Sequence, residues 1–234
     1  MHVPDGFLDA PTSIATGAVA VAAVGTALRG ARRELDDRTA PLAGLVATFV
    51  FATQMLNFPV ASGTSGHLLG GALAAVLVGP ATGLLCMAVV FIVQCLLFAD
   101  GGITALGTNI LLMGVITVVV GWAVFRALQT VLPKRLSMVA PAAAVAALVS
   151  VPAASLGFVA LYAVGGTVDI PLATLMSAMV GVHVLIGIGE AVITLLLVGS
   201  ILAVRPDLVR GARPVLAART LTTRPGVRSP EVVA

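Results

Sequence analysis

The chain has 234 residues, of which 59% are hydrophobic and only 10% charged, with a mean hydropathy of +1.12. Soluble domains carry about 25% charged residues, so a water-soluble enzyme, a nucleic-acid binder and a disordered chain are excluded at the outset. Thirteen basic against ten acidic residues leave a formal charge of +3, and the places of those charges matter more than their sum.

The first twelve residues are polar or turn-like and lack a positive n-region, so they read as a retained N-terminus and not as a signal peptide. The bulky His2 predicts that the initiator Met1 is kept, once its formyl group is removed. Apolar stretches follow at 13–28, 41–58, 67–79, 81–99, 103–125, 138–164 and 172–204. A spanning helix needs about 20 predominantly apolar residues. The breaks at Gly79-Pro80, Asp100-Gly101-Gly102, Leu132-Pro133-Lys134 and Gly165 through Pro171 carry helix-stopping residues. The pattern predicts an all-α polytopic membrane protein with seven transmembrane helices, residues 1–204 forming a single transmembrane domain.

Cytoplasmic loops hold the excess of Lys and Arg. Arg29, Arg32, Arg33 and Arg38 follow the first stretch, Arg126, Lys134 and Arg135 close the fifth, and Arg205, Arg210, Arg213, Arg219, Arg224 and Arg228 follow the seventh. Seven crossings with the N-terminus outside and the C-terminus cytoplasmic put all of them inside. Fusing 67–99 into one span would throw Arg126, Lys134 and Arg135 outward, so 67–79 is read as a separate crossing. It reaches only about 20 Å of a roughly 30 Å hydrocarbon core, which predicts non-helical backbone at 59–66, lining a cavity or wrapped in protein.

The outer side then holds Asp5, Asp9, Asp100 and Asp169 and no fixed positive side chain, which favours a cation; the positive-inside bias alone also leaves outer loops poor in Lys and Arg. Residues 205–234 are basic, contain proline and show no period, and read as a disordered cytoplasmic tail. Cys86 and Cys95, nine residues apart on one helix, fall on nearly opposite faces and act as small apolar side chains.

Few groups can carry chemistry. Within the apolar stretches the ionisable side chains are His67, His183 and Glu190, and such residues are costly in lipid unless they face a cavity. At the free end, the Met1 amine, the His2 main-chain nitrogen and the His2 Nδ1 can close a five-membered and then a six-membered chelate ring. Three coplanar nitrogens suit Ni²⁺ or Cu²⁺ and not Zn²⁺, Mg²⁺ or Ca²⁺, although a His after an initiator Met also arises by chance. Pro4 biases Val3 towards an extended conformation. A planar site needs a fourth donor, and His67 can supply it if the tail plugs into the bundle. It follows Gly63-Thr64-Ser65-Gly66, whose glycines allow close approach of another segment. The alternative is a hydrogen-bonded structural imidazole.

His183 and Glu190 share a helix face, two turns and roughly 10 Å apart, too far for a direct bond; Gln54, Asn57, Gln94 and Asn109 are polar partners within reach of the same interior. A rival reading uses Ser65 and His183 as the dyad of a rhomboid-like intramembrane serine protease. It leaves Met1, His2 and His67 idle. A carrier driven by ion gradients lacks the spaced carboxylates such proteins use, Glu190 being the one acid inside a span.

Three motifs then converge: Met1 through Leu8, the run Gln54 through Val60 continuing from Gly63 to Gly71, and Asp100-Gly101-Gly102 with Ala105-Leu106-Gly107. Together with His183 through Thr194 they closely resemble the cobalt/nickel substrate-binding S-component family of energy-coupling-factor transporters, over residues 1 to about 204. The resemblance implies a six-helix core plus one N-terminal helix, in a multi-pass protein of the prokaryotic inner membrane. It implies Ni²⁺ or Co²⁺ as transported substrate, held by Met1, His2 and His67, with Asn57, Ser65, Gln94, Asn109, His183 and Glu190 as supporting polar residues. No catalytic residue and no organic cofactor is expected. The implied partners are a transmembrane coupling subunit, two cytoplasmic ATPase subunits and a small accessory membrane protein, all in the lipid bilayer. The chain itself has no G-x-x-x-x-G-K-[ST] pattern, so P-loop hydrolysis of ATP falls to the partners. The sequence does not separate nickel from cobalt.

Overall fold

A computed structural model describes residues 1–36, 39–59 and 65–223. In chain order the helices are α1 (Ala10–Glu34), α2 (Ala40–Gln54), α3 (Gly71–Val78), α4 (Pro80–Phe98), α5 (Leu106–Val131), α6 (Val139–Gly165), α7 (Leu172–Val204) and α8 (Arg213–Thr223). Five of them, α1, α4, α5, α6 and α7, are long and apolar enough to cross a membrane; α2 is a shorter apolar helix. Large apolar side chains such as Ile14, Val21, Leu97, Leu185 and Leu196 are exposed, while Phe91, Phe125, Met87, Met113 and Met179 fill the interior. An outer surface this apolar belongs against hydrocarbon and not water.

Local chemistry sets the boundaries. Asp9 caps α1 by accepting from the Thr12 N–H at 2.9 Å, and Pro11 sits in the first turn. Gly79 takes φ 102°, a conformation open to glycine, and turns the chain between α3 and α4. The α4 N-terminus has no cap of its own; Glu34 from the end of α1 accepts from the Ala81 and Thr82 N–H groups instead, at 3.3 and 2.7 Å. Asn109 and the seven-residue π-helical stretch Ile110–Ile116 lie within α5, a feature that apolar patterning does not reveal.

The third apolar stretch, expected as a separate short crossing, forms a helix distinct from α4, but one only eight residues long, about 12 Å, and wholly buried. It starts at Gly71 and not at 67, because residues 65–66 pair antiparallel with 58–59 and the chain stays extended through His67. Residues 60–64 of the expected non-helical segment lie outside the described residues. α3 folds back on α4 so closely that a Cβ at Gly83 would stand 2.9 Å from the Ala75 nitrogen and 3.0 Å from the Ala74 carbonyl carbon. Both are backbone atoms and cannot swing aside. Gly83→Ala is therefore expected to destabilise the fold by about 1–3 kcal/mol, read as a lowered midpoint of thermal unfolding in detergent; an unchanged midpoint would contradict this packing.

The region after 204, expected as a disordered tail, is ordered to residue 223. Two 3-10 turns, Pro206–Leu208 and Arg210–Ala212, lead into α8. Val209, Gly211 and Ala212 are buried, and a Cβ at Gly211 would meet the Phe125 ring at 2.7 Å. The apolar residues that anchor the segment are too sparse to show a period, so the sequence reads it as unstructured. Residues 224–234 lie outside the described residues.

The connections sort to two ends. At one, Leu8 pairs with Gly166, the Gly102 N–H donates to the Val3 carbonyl at 3.0 Å, and Thr104 donates to Asp5. At the other, Arg210 donates to the Glu34 carbonyl, Arg213 faces Asp36 at 3.7 Å, and Gln129 donates to the Gly211 carbonyl.

Candidate metal centre

The N-terminal segment is threaded into the bundle. Met1 and Val3 are each 1% exposed, and Phe7 and Leu8 are buried as well. Phe7 packs on Phe158 and Tyr162, with ring centroids 5.5 Å apart in each pair. Val3 is clamped at both polar groups: its N–H donates to Asn109 Oδ1 at 2.7 Å and its carbonyl accepts from Asn109 Nδ2 at 3.2 Å. The Asp100-Gly101-Gly102 turn explains its glycines here. Gly101 has φ 91° and room only for hydrogen beside Asn109 and His2, and a Cβ at Gly102 would lie 2.4 Å from the Asp5 nitrogen. Hydrogen bonds from Thr104 hold the Asp5 carboxyl below the usual carboxylate range, which latches the thread at the surface.

This thread brings His2 onto His67: the two imidazoles stack with centroids 4.7 Å apart, and the Phe91 ring lies edge-on to His2 at 5.9 Å. His67 is fully buried; its Nδ1–H donates to the Leu68 carbonyl at 2.8 Å, leaving Nε2 as a bare lone pair with no partner among the described residues. Burial lowers the terminal amine to about 5, against the pull of the Asp100 carboxylate, and lowers His2 to about 3. At neutral pH both therefore stand as neutral nitrogens. A neutral His2 carries one ring proton, yet Nδ1 lies 3.2 Å from Asp100 Oδ1 and Nε2 lies 3.2 Å from Gln94 Oε1. The Nδ1 approach to Asp100 lacks hydrogen-bond geometry, and Nδ1 has no hydrogen-bond partner among the described residues. With the proton on Nε2 the ring donates to Gln94, and the Nδ1 lone pair is open to a cation.

The supporting residues divide. Gln94 and Asn109 contact the thread as described, and Asn57, on the exposed side, hydrogen-bonds the Asp100 carboxylate. Glu190 does not meet His183, as the spacing foresaw; its carboxylate accepts from the Leu69 and Gly70 N–H groups at 2.7 and 2.9 Å. Gln54 donates to the Leu69 carbonyl at 2.7 Å. These bonds fix the backbone two and three residues beyond His67. His183 Nδ1–H donates to the Met179 carbonyl at 2.7 Å, one helical turn back, and its Nε2 has no partner among the described residues. The Ser65 side chain lies outside the described residues. Cys86 and Cys95 are free and buried.

Among the described residues no three His, Cys, Asp or Glu side chains converge as a ligand cluster. A donor set here must draw on main-chain nitrogen, which is what the Met1-His2 chelate offers. Sequence reasoning missed the approach of Asp100 to His2, having read it as outer-face charge alone; the Asp-Gly-Gly turn was the available signal.

The chain matches the model of the family described as cobalt uptake substrate-specific transmembrane region, over residues 2–208. It is 41% identical over 211 residues to a protein of Haloquadratum walsbyi described as a metal transport protein, covering 89% of this chain and 93% of the relative. It is 37% identical over 209 residues to a protein of Archaeoglobus fulgidus described as a fused nickel transport protein, NikMN, covering 89% of this chain and 68% of the relative. The fold superposes on the crystal structure of a truncated transition metal transporter with a TM-score of 0.80 at 29% identity, over 87% of this chain and 99% of that one. The intramembrane protease alternative through Ser65 and His183 finds no support in these relatives. A match spanning nearly all the helices, on a fold whose N-terminal segment is drawn into an apolar bundle beside a buried imidazole, makes this chain a multi-pass prokaryotic cell-membrane protein that belongs to the cobalt uptake substrate-specific transmembrane family, CbiM.

Proposed function

We propose that the chain is the substrate-capture subunit of an energy-coupling-factor importer for Ni²⁺ or Co²⁺. The stacking of His2 on His67 carries this reading, because the Met1-His2 pair, which can chelate through amine, amide and imidazole, then lies against a buried imidazole whose Nε2 has no partner among the described residues. The ion is held by four nitrogens: the Met1 amine, the His2 main-chain nitrogen, His2 Nδ1 and His67 Nε2. Loss of the amide proton on binding suits a late first-row cation, and soft sulfur ligands are not required.

In this reading the chain crosses the membrane seven times, α3 completing a short crossing inside the bundle. The end that carries Asp5, Asp9, Asp100 and Asp169 faces outward and concentrates the cation; the basic end faces the cytoplasm. The subunit performs no chemistry on its cargo. A transmembrane coupling subunit and two ATPase subunits, with a small accessory membrane protein, supply the energy that reorients it and releases the ion inside. The relatives' names, metal transport and fused nickel transport, support this assignment of cargo.

His67→Ala removes one donor of four and is expected to weaken Ni²⁺ or Co²⁺ binding by more than about 100-fold, beyond the 10–100-fold that outer partners cost. Ser65→Ala is expected to leave binding within about twofold of the parent. Calorimetric titration of the purified chain reads both; a tight-binding His67→Ala protein would sink the assignment.

A further inference from the structure

We propose that the basic end of the molecule holds a binding site for the headgroup of an anionic phospholipid, between the end of α5 and the start of α8. A cavity of about 310 Å³ opens there, lined by Arg126, Gln129, Thr130, Lys134, Pro214 and Val215. Arg126 and Lys134 reach it with no carboxylate partner among the described residues. The described acids at this end are committed elsewhere: Glu34 caps α4, Asp36 faces Arg213, and Asp207 pairs with Arg205 at 2.8 Å. Two cations beside hydrocarbon without a counter-charge attract an anion from the leaflet they border.

The face of α5 that leads to the cavity identifies which anion. Val119, Ala123 and Ala127 are exposed at four-residue spacing, so they form one apolar stripe along the helix, and Arg126 and Thr130 stand at its end. An acyl chain lies along that stripe while its phosphate sits between the Arg126 guanidinium and the Lys134 ammonium. Free phosphate shares the headgroup chemistry but has no use for the stripe. Trp122 stands one turn before Arg126, whose guanidinium carbon is 6.0 Å from its ring centroid, in the interfacial position tryptophan favours. Gln129 holds the floor of the site by donating to the Gly211 carbonyl at 2.7 Å, which ties the segment before α8 to α5.

Trp122 is the one tryptophan in the chain, so its emission reports occupancy of the cavity. The full chain in a neutral detergent would be titrated with dioctanoyl phosphatidylglycerol, with dioctanoyl phosphatidylcholine and with sodium phosphate. The expected result is a saturable emission change with phosphatidylglycerol alone. It should weaken about fivefold in Arg126→Gln or Lys134→Gln and about thirtyfold in the double variant, from the usual contribution of a basic residue at a membrane surface, whereas Arg33→Gln titrates as the parent. A single variant suffices should the double one unfold. Equal response to phosphatidylcholine, an equal response to inorganic phosphate, no saturable change, or an undiminished response in the variants would each overturn the site.

Discussion

Adding one glycine ahead of Met1 is expected to lower Ni²⁺ or Co²⁺ affinity by more than about 100-fold, a larger effect than any outer partner of a metal ligand produces. Two independent causes act together. The extension converts the terminal amine into an amide, which breaks the five-membered ring that the amine and the His2 main-chain nitrogen close around the ion. It also has nowhere to go: Met1 is 1% exposed and lies in the hydrophobic core with Val3 and Leu69, so another residue forces the thread outward and drags His2 from its stack on His67. Titration calorimetry on the extended and parent proteins checks the loss. An N-acetylated parent separates the causes, since a small cap removes the amine's donor capacity with less displacement. An extended protein that still binds tightly would show that the free end is not a ligand.

Glu190→Ala is the second large effect, and it acts away from the donors. The carboxylate accepts two N–H groups, from Leu69 and Gly70, at a depth where Leu69 is 0% exposed. Removing it strands both donors in an apolar interior, at about 1–3 kcal/mol each, so the thermal midpoint in detergent should fall sharply. Because those two amides lie just beyond His67, metal affinity should fall as well, by about 10–100-fold, the usual cost of losing an outer partner of a ligand. Glu190→Gln keeps a carbonyl acceptor in the same place and should recover most of both losses. A Glu190→Ala protein with parent stability would mean that the loop is held by Gln54 and its own packing alone.

Much of this was legible in the sequence. Hydropathy and punctuation gave the apolar helices, including the break at Gly79-Pro80 that parts α3 from α4. The proposed donors drew notice in the sequence because they are rare groups whose spacing carries chemistry: a His directly after the first residue, and a His after two turn-forming glycines. What stayed hidden depends on contacts between distant residues. Glu190 announces itself as a costly buried acid, yet nothing in its helix says that its partners are amides about 120 positions earlier. Asp100 reads as a surface charge until the thread places His2 against it. The ordered segment after 204 rests on a few small residues meeting Phe125 and Val76, a contact with no periodicity to betray it.

In the proposed site nitrogen alone holds the ion, with the Met1 amine among the donors. X-ray absorption at the nickel edge of the loaded, purified protein distinguishes this shell from others. A four-coordinate, planar signature with nitrogen donors, imidazole scattering from two rings and no sulfur is expected. A six-coordinate, oxygen-rich shell, or one containing sulfur, would contradict it.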